Sequence, residues 1–195
     1  MKTIGFYLKH YQQKNAVQKL FEKIASQEAV LQDVHHYFEL RDCDPKKTSD
    51  FDRFKHLMKY YPEFVFVFQW RTGLLNSRMK RLFNYPNYQC KIFKSTKIEG
   101  GLSCFHPFAT VINAKSIGRN FEFRNGLTIG NKNNDNSLLP NIGDNVTVGA
   151  NVCIIGKISI GHNVVIGAGS VVVKDVPDNV VVAGNPAKVI KRIVE

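Results

Sequence analysis

The stretch "IGDNVTVGANVCIIGKISIGHNVVIGAGSVVV", residues 142–173, decides the fold. Ile142, Val148, Ile154, Ile160, Ile166 and Val172 follow one another at steps of six, and Gly143, Gly149, Gly161 and Gly167 come directly after four of them. A strand alternates with period two and a helix repeats at about 3.6, so neither sets glycine at a fixed offset every six residues. Six-residue repeats build a parallel β-helix, in which three hexads make one triangular coil. A coil cannot bury its apolar stripe alone, so coils stack. The glycines are expected at corners where the chain turns sharply or takes positive φ.

Working upstream, Val111, Ile117, Phe123 and Ile129 keep the step of six, and Ile92, Ile98 and Cys104 form a third group. Ile92 to Val172 then makes about four and a half coils. Two irregularities interrupt them. Cys104 to Val111 is a step of seven within "CFHPFATVINA" (104–114), and it contains His106. Ile129 to Ile142 is a step of thirteen holding the polar run "NKNNDNSLLPN" (131–141). A bulge and an extruded loop are features a bare scaffold does not need. The bulge is expected to turn His106 out of the stack, beside the loop.

Residues 1–88 read as helical. Val17, Leu20, Phe21 and Ile24 fall at i, i+3, i+4 and i+7, and Leu31, Val34 and Phe38 continue the stripe. Pro45 in "DCDPKKTSD" breaks that helix, with Ser49 or Asp50 as the next N-cap. Phe51, Phe54, Leu57 and Tyr61 mark another helix, ending before Pro62. The run "FVFVFQW" (64–70) and the basic stretch after it, 64–83 together, fit either a peripheral membrane contact or a packing surface. The chain is therefore expected to be α+β: a helical region over 1–88, a β-helix over 89–184 and a tail over 185–195.

Bulk properties narrow the setting. No stretch approaches the ~20 apolar residues of a membrane span. The opening "MKTIGFYLKHYQQK" meets charge too early for a secretory segment, which points to the cytoplasm. Four cysteines stand far apart with no C-x-x-C spacing, so neither a zinc site nor a disulfide framework is expected. The net charge is +11, and residues 50–97 hold ten Lys/Arg against three Asp/Glu. That field draws an anionic cofactor, an acidic glycan or a membrane surface. No nucleic-acid-binding signature accompanies it.

With the hexads placed, the ending "IGAGSVVVKDVPDNVVVAGNPAKVIKR" (166–192) resembles the last coil and tail of the hexapeptide-repeat acyltransferases, left-handed β-helix enzymes that use acetyl-CoA. The resemblance covers about 91–192. The helical leader with "YPEF" looks like the serine acetyltransferase branch and its polysaccharide-modifying relatives. It implies trimers, with each active site in a groove between two solenoids.

Under this resemblance His106 matches the catalytic histidine. A hydroxyl attacks a thioester only if a base removes its proton, and imidazole suits that task near neutral pH. Ala150 and Ala168, eighteen residues and one coil apart, match positions that let the cofactor's pantetheine arm lie along a coil edge. Asn131 and Lys132 fall at a turn near the thioester. Lys174, Lys188, Lys191 and Arg192 are candidates for the cofactor's phosphates.

The pattern also departs from the serine branch. Lys91 stands where an aspartate orients the histidine, Phe105 replaces an acidic residue, and Leu138 and Leu139 replace the Arg-His pair that holds serine's carboxylate. A sugar hydroxyl of a surface or capsular polysaccharide is therefore the expected acceptor. L-serine is the alternative, and a non-catalytic assembly module the second. The imidazole is then expected to be oriented by Glu99, Asn113 or a backbone carbonyl. No metal is expected, because a three-histidine site has only His106 and His162 to draw on in the repeat region. The inner face of the membrane is the expected place if the basic stretch engages lipid.

Overall fold

The structure, a computed structural model, describes residues 2–44, 46 and 49–194, with the backbone alone for 2–11. The chain divides into two compact units, residues 1–86 and 87–195.

The first unit is helical: α1 (Lys2–Ile24), α2 (Glu28–Leu40), α3 (Asp50–Tyr60), α4 (Pro62–Thr72) and α5 (Ser77–Leu82). The apolar stripe expected to run unbroken from Val17 to Phe38 is split by a turn at 25–27. Val17, Leu20 and Ile24 are buried on α1, and Val34, Tyr37 and Phe38 on α2. Pro45 lies outside the described residues. Ser49 caps α3, its hydroxyl accepting the Asp52 N–H at 3.1 Å. Pro62 opens α4, where its missing N–H costs nothing.

The run 64–68 is buried throughout. Phe64 meets Tyr37 edge-on at 5.4 Å, and Phe68 lies 5.3 Å from Phe54. These aromatics are core, so of the two readings given for 64–83 the packing surface holds over 64–68. Among the described residues no helix is long and apolar enough to cross a membrane.

The second unit is a left-handed parallel β-helix of five coils. Coil one holds β1 (Lys91–Ile92), β2 (Lys97–Ile98) and β3 (Ser103–Phe105). Coil two holds β4 (Val111–Ile112), β5 (Ser116–Ile117) and β6 (Glu122–Arg124). Coil three holds β7 (Thr128–Gly130), β8 (Asn141–Ile142) and β9 (Thr147–Val148), and coil four β10 (Cys153–Ile155), β11 (Ser159–Ile160) and β12 (Val164–Ile166). Coil five opens with β13 (Val171–Val172) and closes with β14 (Val180–Gly184). The tail then returns as β15 (Ala187–Arg192), antiparallel to β14.

Like strands stack in three parallel sheets: β1-β4-β7-β10-β13, β2-β5-β8-β11, and β3-β6-β9-β12-β14. We call the turns after them the first, second and third edges. The hexad residues point inward and stack in register, as in Ile129↔Ile154↔Val172 and Phe123↔Val148↔Ile166.

One inward position differs from the sequence reading. Val111 is 40% exposed, while Ile112 is fully buried and pairs with Ile92 and Ile129. The inward step after Cys104 is therefore eight, and the next, to Ile117, is five. The expected step of seven averaged an insertion of two and a deletion of one.

The glycines serve a purpose other than the expected one. Gly143 and Gly149, among those that follow the inward residues, are not at positive φ. A Cβ on Gly149 would lie 2.5 Å from the Ala168 nitrogen, and one on Gly143 would lie 2.7 Å from the Gly161 carbonyl oxygen. They are small because the next coil passes too close. Positive φ falls instead largely to asparagine, which tolerates it. On the second edge Asn120, Asn145, Asn163 and Asn179 have φ of 57°, 56°, 54° and 58°. Their side chains form a ladder, each amide donating to the next at 2.8–2.9 Å.

Candidate active site

The third edge carries the candidate site. From the inward residue of β6, β9 and β12, two steps lead to Asn125, Ala150 and Ala168, and one more to Gly126, Asn151 and Gly169, all at positive φ. The column is hydrogen bonded along its length: Asn151 N–H to the Asn125 carbonyl at 2.9 Å, and Gly169 N–H to the Ala150 carbonyl at 2.8 Å. Coil one joins it through Gly126 N–H to the Phe108 carbonyl at 2.8 Å. Phe108 thus holds the position of Ala150 and Ala168, and Ala109, at φ 51°, holds the corner given to Gly or Asn in the other coils.

Reaching Phe108 from Cys104 takes four residues instead of two. The excess is the bulge, and His106 sits at its centre with φ 48°. The Phe108 N–H donates to the His106 carbonyl at 2.6 Å, and the histidine is exposed. An imidazole directed out of the stack, as expected, is what the insertion produces. Its neighbourhood is not the expected one: the loop 131–140 leaves by the first edge, after β7, whereas His106 leaves by the third, after β3.

The structure brings His106, Ala150 and Ala168 to one edge. Four coil spacings of ~4.8 Å put coil five about 19 Å from His106. There Lys188, on β15, is paired in register with Ala183, and Ala183 stands beside Gly167. The strip between carries only short side chains: Asn125 and Asn151 are interspersed with half-buried Ala150 and exposed Ala168, and a Cβ on Gly169 would meet nothing within 4 Å. A thin, flexible arm fits such a strip.

The other expected residues lie elsewhere. Lys191 and Arg192 are exposed further along β15. Lys174, Asn131 and Lys132 are on the first edge. Asn131 bonds Asn136 at 2.7 Å inside the extruded loop, which closes through a turn at Asn133 and Asn134. Asn113 also leaves by the first edge. Glu99 leaves by the second and lies 3.9 Å from Arg119. His162 is exposed on the second edge, where its Nδ1 accepts the Asp144 N–H at 3.0 Å.

Two neighbours of His106 were not anticipated. Phe108 is 51% exposed, its ring set edge-on to buried Tyr88 at 4.9 Å. Arg124, in register with Phe105, lays its guanidinium 4.6 Å over that ring and donates to Glu122 Oε1 at 3.3 Å. The sequence signal for Arg124 was its place, one coil beyond the residue before His106.

Comparison with known proteins bears on this geometry. Residues 140–174 match the family model for the bacterial transferase hexapeptide (six repeats). This stretch carries the hexapeptide repeat of that family. Among individual hexapeptide-repeat proteins, the chain is 51% identical over 85 residues to a putative colanic acid biosynthesis acetyltransferase, WcaB, of Escherichia coli K12, covering 43% of this chain and 52% of that one. It is 32% identical over 168 residues to serine acetyltransferase 2 of Arabidopsis thaliana, covering 80% of this chain and 50% of that one. The chain thus spans about half the length of these curated relatives. The fold of serine acetyltransferase from Neisseria gonorrhoeae superposes with a TM-score of 0.63 at 29% identity, over 88% of this chain and 69% of that one.

Proposed function

We propose that the chain is an acetyl-CoA-dependent O-acetyltransferase whose acceptor is a sugar hydroxyl. The observation that carries this reading is the alignment on the third edge. An exposed histidine stands at one end of a strip of short side chains, and Lys188 stands at the other. Acetyl-CoA supplies the acetyl group as a thioester. Its pantetheine arm would lie over Ala150 and Ala168, with Lys188, and beyond it Lys191 and Arg192, meeting its phosphates. His106 then takes the proton of the acceptor hydroxyl as oxygen bonds to the acyl carbon. The same imidazolium returns a proton to the departing thiolate as the carbon–sulfur bond breaks, so charge and protons balance. A positioned base of this kind contributes ~10²–10⁴-fold in rate.

Three chains packed with parallel axes would set the first edge of one against the third edge of the next. Asn131, Lys132, Lys174 and Asn113 would then reach the site from the neighbour, which accounts for their absence from the third edge. Phe108 favours a sugar, because an exposed aromatic face suits the apolar face of a pyranose ring. L-Serine is the second reading, favoured by the similarity to serine acetyltransferase over 80% of the chain. Colanic acid biosynthesis, named for the E. coli relative, fits the first reading.

Two measurements test the proposal. Acetyl-CoA at 100 times its dissociation constant stabilises a folded binder by about 2.7 kcal/mol, so the melting temperature must rise. An absent rise at millimolar acetyl-CoA refutes the transferase reading. A thiol-release screen of L-serine, nucleotide sugars and oligosaccharides then identifies the acceptor.

A further inference from the structure

We infer that Arg124 is a specificity-determining residue that reads a carboxylate on the acceptor. The inference rests on the O-acetyltransferase reading and adds the chemical class of its substrate. Arg124 is the cation set beside His106 by the fold itself: Phe105 and Arg124 are register partners on β3 and β6, and His106 follows Phe105 directly. Lys188 is three coils further along, about 14 Å at ~4.8 Å per coil. A cofactor laid over Ala150 and Ala168 keeps its phosphates at that far end. Beyond the Glu122 carboxylate that Arg124 already meets, a negative charge brought up to His106 would come from the acceptor.

Its geometry suits the task. An ordinary exposed ion pair is loosely held and contributes little. Arg124 is held on two sides. Its guanidinium carbon lies 4.6 Å from the Phe105 ring centroid, and Glu122, only 7% exposed, accepts from Nη2 at 3.3 Å. The side chain is still 47% exposed, so part of its planar five-donor fork faces outward. A fork fixed by stacking loses little entropy when it grips a carboxylate through two parallel bonds.

A carboxylate can come from a hexuronic acid or from L-serine. Phe108, two residues past His106, adds a surface for a sugar ring. The two sources are separated by using acids and their methyl esters, which keep every hydroxyl and lose the charge.

The test measures thiol release by the full chain with hexuronate oligosaccharides, L-serine, and the methyl esters of both. The parent protein is expected to prefer the acid to its ester at least tenfold in kcat/KM. Arg124→Gln should raise KM for the acid about 10- to 100-fold, the range of a lost hydrogen bond to a charged group, and erase that preference. Its KM for acetyl-CoA should not move, and Arg124→Lys should recover part of the loss. Because Arg124→Gln leaves Glu122 without this partner, Glu122→Gln/Arg124→Gln is measured beside it, with melting temperatures for all. Equal use of acid and ester by the parent protein, transfer to uncharged sugars only, or an acid preference that survives Arg124→Gln in a folded variant overturns the inference. Each leaves the transferase reading standing, since acetyl-CoA still raises the melting temperature. No such rise in the parent protein overturns both.

Discussion

The N–H of Phe108 donates to the carbonyl of His106 at 2.6 Å, a tight turn across Pro107 that follows the histidine's φ of 48° and returns Phe108 to the edge column. Two inserted residues thus move one imidazole outward and leave the coils on either side in register. His106→Asn should keep the turn, since asparagine tolerates this φ, and remove the base. Turnover should fall ~10²–10⁴-fold with the acetyl-CoA-induced rise in melting temperature intact. Normal acetylation by this variant would show that another group takes the proton.

Ala109 occupies, at φ 51°, a corner that other coils give to Gly126, Asn151 and Gly169. An alanine there costs roughly 1–2 kcal/mol, against about 0.5–1 kcal/mol for the extra chain entropy of glycine. Ala109→Gly should therefore stabilise the fold by about 0.5–1 kcal/mol. Urea denaturation reads this directly, and a loss of stability would mean the methyl group makes a contact worth more than the strain.

Ala168 is exposed and its neighbour Gly169 faces open space, so the fold can carry a larger side chain here. Ala168→Phe should melt like the parent protein and raise the KM for acetyl-CoA at least tenfold, leaving the KM for the acceptor alone. Unchanged affinity for the cofactor would remove it from this strip.

Asn145 is one of the two inner rungs of the asparagine ladder, accepting from Asn120 and donating to Asn163 at 2.9 Å each. Asn145→Ala loses both bonds and adds backbone strain. A cost of about 2 kcal/mol follows from ~1 kcal/mol of strain and ~0.5 kcal/mol per exposed bond. Asn145→Gly should recover the backbone share only. Equal losses for the two variants in chemical denaturation would place the whole effect in the side-chain bonds.

The Arg119 backbone N–H, followed by the Arg119 guanidinium and His162, holds the Asp144 carboxyl below the usual carboxylate range. A depressed carboxylate contributes stability above its unfolded pKa, near 4, and that contribution fades as pH falls through the lower folded value. Acid unfolding of Asp144→Asn should accordingly show a shallower slope below about pH 4 than the parent chain. Identical slopes would assign the acid sensitivity to other groups.

The repeat made most of the fold legible. Six-residue spacing names the inward residues of coils three and four without error, because the step holds up to Ile129 before the loop and resumes at Ile142 after it. It fails at Val111 because an insertion and a deletion fall within one coil, and a period count cannot separate two compensating slips. The stacking of Ala150 on Ala168 was readable for the same reason, since they stand one coil apart, whereas His106 was marked by a break in the step and its role came from the resemblance. Arg124 was not, since its meaning lies in a cross-coil neighbour that only the register reveals. Phe108 was hidden by composition, where it looks like one more apolar residue. The location of 131–140 on a different edge from His106 also needed the strand order, because closeness in sequence says nothing about which side of a triangle a turn leaves.

The returning strand β15 has a consequence for solubility. A stack of parallel rungs offers its last row of amides and carbonyls to any passing chain, and a prism of this kind could in principle grow head to tail into a filament. On one face that row is already taken by β15, whose outer margin bears Lys188, Lys191 and Arg192. Two copies brought together there would have to bury like charges side by side. The same lysines proposed to meet the cofactor's phosphates would therefore also oppose polymerisation.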